Sequence, residues 1–69
     1  MKILALIGMN LYVKGIQKNY TGEWIENVIL TKNVFNAMDI GNLSDKDKTE
    51  MASYIKNIEK TVLEIKEIL

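Results

Sequence analysis

Six apolar residues towards the C-terminal end of this 69-residue chain, Met51, Ile55, Ile58, Val62, Ile65 and Leu69, recur at alternating steps of four and three. On an α-helix that alternation returns each side chain to one stripe, with the repeat of about 3.5 residues used in helix-on-helix packing. One helix cannot cover its own stripe, so other helices, from this chain or a second copy, have to do so. The spacing predicts a helix over about 45–68 within an all-α fold. Ser44 suits its N-cap, and Asp47 completes a variant of the capping box. Asp45, Asp47 and Glu50 crowd its first turns, where the helix dipole favours negative charge.

The first segment carries the same alternation through Leu6, Met9, Val13, Ile16 and Tyr20, which predicts a helix over about 3–19. Residues 2–7 also read as a strand, because a short apolar run is ambiguous between the two. The sustained spacing favours the helix. Leu4, Ile7 and Leu11 then fall on its opposite side, and a helix apolar on both sides is either the central helix of a lopsided core or packs on a partner. These three residues form the expected self-association or partner surface. Gly8 and Gly15, seven residues apart, would share a face and let another helix approach. Asn19–Gly22 and Asp39–Asn42 are the two breaks. Between them, Trp24, Val28, Phe35 and Met38 share one helical face, although Val28-Ile29-Leu30-Thr31 raises the strand tendency. A second helix over 22–38, with Gly41 as its stop, completes the expectation. Residues 1–69 thus form a single helical domain. It is a small three-helix bundle, or a helical hairpin with an additional N-terminal helix.

A core this small supplies about 3–5 kcal/mol, and such domains usually need a staple. Cysteine is absent, which removes disulfides and thiolate metal sites. Histidine is absent too, and with it the commonest metal ligand and general base. Oligomerisation remains, and an apolar fraction of 48% can supply its surface. Nine lysines balance nine acids. Nucleic-acid binders carry a basic excess, and a helix-turn-helix would not place Glu23, Glu26, Asp45 and Asp47 at its helix starts. No nucleic-acid partner is expected. The apolar stretch from Ile3 is too short to span a bilayer and lacks a signal-peptide cleavage site. The expected location is the cytoplasm, with no transmembrane span. Abundant Ile, Lys and Asn without Arg, Pro, His or Cys points to an AT-rich genome, such as that of a low-GC bacterium or its phage.

Chemistry has little to stand on. Ser44 and Ser53 have no histidine to activate them, and Glu64 and Glu67 read as a solvated pair. Asp39–Glu50 lacks the spaced acids of an EF-hand, and no phosphate-cradling loop is present. No catalytic residue, metal or cofactor is expected. The residues support a small non-enzymatic helical interaction protein that self-associates and binds a partner protein, as an inhibitor or adaptor does. The alternative is a helical oligomer that sequesters a small ligand or nucleotide between subunits. Lys14, Lys18, Tyr20 and Trp24 are then the candidate ligand or partner contacts.

Overall fold

The computed structural model describes residues 1–68, and it is built on a sheet. Strands β1 (Lys2–Leu6), β2 (Tyr12–Lys18) and β3 (Ile25–Thr31) precede a single α-helix, α1 (Asp45–Ile58), and strand β4 (Leu63–Glu67) follows it. Every pairing is antiparallel, and the strand order is β3-β2-β1-β4. The all-α bundle is therefore corrected to a four-stranded antiparallel sheet carrying one helix.

The correction has a physical reason in each segment. Ile3, Leu4, Ala5 and Leu6 are all buried, and strand geometry sends them alternately to the two faces. An unbroken apolar run suits a strand covered on both sides. What reads as a helix apolar on two sides is thus a strand buried on two faces. Gly8 sits in the turn after β1 with φ +80°, a backbone state that glycine adopts at little cost. In the middle segment the β-branched cluster prevails, and Val28–Thr31 completes β3.

The β1–β2 hairpin is zipped only near its turn, where Ala5 pairs with Tyr12 and the Leu6 N–H donates to the Leu11 carbonyl. Carbonyls two residues apart point to the same edge of a strand, and the next one along, that of Val13, accepts from the Met38 N–H at 3.0 Å. β1 has left that edge of β2, and the segment between β3 and α1 occupies the opening. This segment holds two 3₁₀ turns, Val34–Asn36 and Ile40–Asn42, opened by the side chains of Asn33 and Asp39. Ile40 is buried and joins the core.

The third segment is helical only in its first half. Ser44 caps α1, its Oγ accepting from the Asp47 N–H at 3.1 Å. Met51 and Ile55 are fully buried against Leu4, Leu6, Val13 and Val28. Ile58, Val62 and Ile65 are 60%, 53% and 62% exposed, so the expected seam stops at Ile55. Leu69 lies outside the described residues. The helix ends at Ile58 with Glu59 as its C-cap, Lys60 turns the chain with φ 58°, and β4 begins three residues later. Ser44→Ala should cost on the order of 1 kcal/mol, read as a lower urea midpoint, because the Asp47 amide loses its acceptor.

Candidate interaction surface

The helix lies to one side of the sheet. Lys18 on β2 pairs with Asp47 at 3.1 Å, the Ile25 N–H donates to Glu50 at 3.0 Å, and Tyr54 donates to Asn27 at 2.8 Å. Lys46 donates to the Glu23 carbonyl at 2.8 Å. All four contacts tether α1 over the β2–β3 hairpin. Among the described residues no hydrogen bond or ion pair ties α1 to β4, at the far edge of the sheet.

A depression of about 400 Å³ results between the helix and β4, lined by Ala52, Ser53, Lys56, Val62 and Leu63. Leu63 and Ile65 stand opposite Leu6 and Leu4 in the β1–β4 ladder, so both face the helix side. Leu63 packs against the core, whereas Ile65 lies largely in solvent. Glu64 and Lys66 point to the other face and pair with each other at 3.6 Å. Three of the five lining residues are apolar, and Ser53 and Lys56 supply its polar groups.

β4 is also a free edge. The Val62 carbonyl accepts from the Ile7 N–H and the Ile68 N–H donates to the Met1 carbonyl, so these residues direct their backbone groups towards β1. Alternation turns the N–H and C=O groups of Leu63, Ile65 and Glu67 outward. Among the described residues none of these outward groups has a partner. At the opposite edge of the sheet Glu50 takes one backbone amide, that of Ile25 at the start of β3.

The residues singled out in the sequence are dispersed. Leu4 is 7% exposed and belongs to the core, Leu11 is half-buried against it, and Ile7 is exposed beyond the end of β1. Gly8 serves the turn, and Gly15 lies in β2 beside the irregularity that shifts the ladder between Val13 and Gly15. Lys14 is exposed at that irregularity, and Lys18 is engaged with Asp47. Tyr20 stands in solvent on the β2–β3 turn. Trp24 lines a second, shallower depression of about 260 Å³ with Ile25, Glu50, Ser53, Tyr54 and Asn57. Val62, which lines the first groove, and Ile65 on β4 lie on the helical stripe that the spacing predicts, yet both are exposed. The signal that places Ile65 on a strand is the alternation from Leu63 to Lys66, apolar and charged by turns.

No described helix is long and apolar enough to cross a membrane. Among the described residues no three acidic side chains gather as a metal site would require. No protein-family model matches the chain, and neither curated proteins nor solved structures provide a match.

Proposed function

We propose that this protein works by association: it self-associates and binds a partner protein, acting as an inhibitor or adaptor rather than as an enzyme. The observation that carries this reading is the groove between α1 and β4, lined in part by exposed Val62, together with exposed Ile65 on β4 and an unpaired strand edge. Apolar surface gains about 25 cal/mol per Å² on burial, and an unpaired edge offers a template for a second chain. The alternative of ligand sequestration has less support, since Lys14, Lys18 and Tyr20 are not gathered around either depression.

Sedimentation velocity over a range of micromolar concentrations tests the reading. The wild type should sediment above the monomer mass, with the heavier species growing as concentration rises. Val62→Lys places a charge at the groove without touching the core, and it should retain less partner protein in affinity capture than the wild type. A monomer at every concentration, with capture indifferent to Val62→Lys, would overturn the proposal.

A further inference from the structure

The free edge of β4 fits one occupant best, and we infer that it is a second copy of β4, paired antiparallel in a register centred on Ile65. The inference rests on the reading of this protein as self-associating and names the surface and the geometry. Two copies joined edge to edge about a two-fold axis form one continuous sheet, so side chains on the helix side must meet side chains on the helix side. Because the side-chain period is two, only registers in which like-facing residues stand opposite survive.

Centred on the three interior residues of β4, which keep most of the strand paired, three such registers are available. One places Glu64 opposite Glu64 of the second copy, and another places Lys66 opposite Lys66. Like charges directly opposite are destabilising. The third places Ile65 opposite Ile65, and Glu64 of each copy then stands opposite Lys66 of the other. Here the intramolecular Glu64–Lys66 pair of each copy joins a ring of four charges alternating in sign.

The backbone selects the same register. The outward groups belong to Leu63, Ile65 and Glu67. Centring on Ile65 sets Ile65 against Ile65 and Leu63 against Glu67, so every outward N–H and C=O finds a partner. Either neighbouring register leaves one of these residues beyond the end of the paired strands. The Glu64–Lys66 positions become the non-hydrogen-bonded pairs, where side chains lie closest. On the helix side the two Ile65 side chains, each 62% exposed in the single chain, cover one another. The grooves of the two copies merge into one trough between the paired helices.

Charge reversal and cross-linking test this directly. Glu64→Lys alone and Lys66→Glu alone each set like charges opposite, and each should weaken self-association about tenfold or more. Mixed in equal amounts, the two variants should associate with each other, because every opposed pair then has opposite sign. The double variant Glu64→Lys/Lys66→Glu should associate as the wild type does. The chain has no cysteine, so Ile65→Cys should give a covalent dimer on mild oxidation. Directly opposed residues sit about 5.5 Å apart at Cα, within disulfide reach. Glu64→Cys and Lys66→Cys should cross-link to each other and not to themselves. Suppose the wild type self-associates while the charge variants are neutral and Ile65→Cys stays uncross-linked. The β4 interface is then wrong and self-association runs through another surface. A wild type that is monomeric at all concentrations removes both this inference and the reading beneath it. Recovery in the mixture also excludes misfolding of the single variants as the cause of their loss.

Discussion

Ile55→Ala is expected to destabilise the protein by about 2–5 kcal/mol, from lost burial and from the cavity left behind. Ile55 is fully buried and joins Met51 in holding α1 to the strands. A domain of this length has only about 3–10 kcal/mol in total, so the substitution removes a large part of it. Ile58→Ala, three residues along the same helix, trims a side chain that is mostly in water and should cost under about 1 kcal/mol. Urea unfolding of the two variants, followed by circular dichroism, reads the contrast. A helical stripe continuing through Ile58 would make the two losses similar. Equal midpoints would therefore contradict the exposure described for the end of α1.

Asn19→Ala should produce the next largest loss, about 2–3 kcal/mol. Asn19 is the one buried polar residue among those described, and it organises the turn between β2 and β3. Its Oδ1 accepts from the Glu23 N–H at 2.8 Å and the Trp24 N–H at 3.2 Å, and its Nδ2 donates to Thr21 at 2.6 Å. Its backbone also bonds the Trp24 carbonyl and the Gly22 amide. Alanine leaves two part-buried amides without an acceptor and removes the brace of the hairpin. Asn19→Asp keeps the acceptor and should retain much more of the stability. Thermal melts of the two variants establish the order. A melting temperature for Asn19→Ala equal to that of the wild type would mean that water replaces the side chain at no cost.

The local punctuation of this fold is legible in the sequence, and the long-range architecture is not. Ser44 opens a helix as its side chain dictates, and the breaks at Asn19–Gly22 and Asp39–Asn42 fall at a hairpin turn and a 3₁₀ turn. Capping and turn chemistry act within four residues, so the chain states them openly. The helical seams mislead because nearly half the residues are apolar, and steps of three and four then arise in strands by coincidence. Leu6, Val13 and Ile16 carry the helical step yet belong to two different strands. In the last segment both periods occur in succession. Met51 and Ile55 follow the helix, while Leu63 and Ile65 alternate with Glu64 and Lys66 as a strand does. The helical stripe extends across this change only because Ile58 and Val62 happen to lie in step. The groove was invisible for a related reason. It exists because α1 is tethered over β3 and not over β4, through contacts such as Ile25 to Glu50 that span 25 residues.

The pairing of the first strand with the last governs how the chain must fold. Met1 and Ile68, 67 positions apart in sequence, are hydrogen-bonded neighbours in space. Closing so long a loop is an entropic cost met before the β1–β4 ladder returns anything. The β2–β3 hairpin and the capped start of α1 need only local contacts and are free to form early. Until β4 arrives, Ile3-Leu4-Ala5-Leu6 presents an apolar strand with a bare edge, the kind of surface on which folding intermediates aggregate. The strand that completes this sheet is thus also the one that shields its most vulnerable segment during folding.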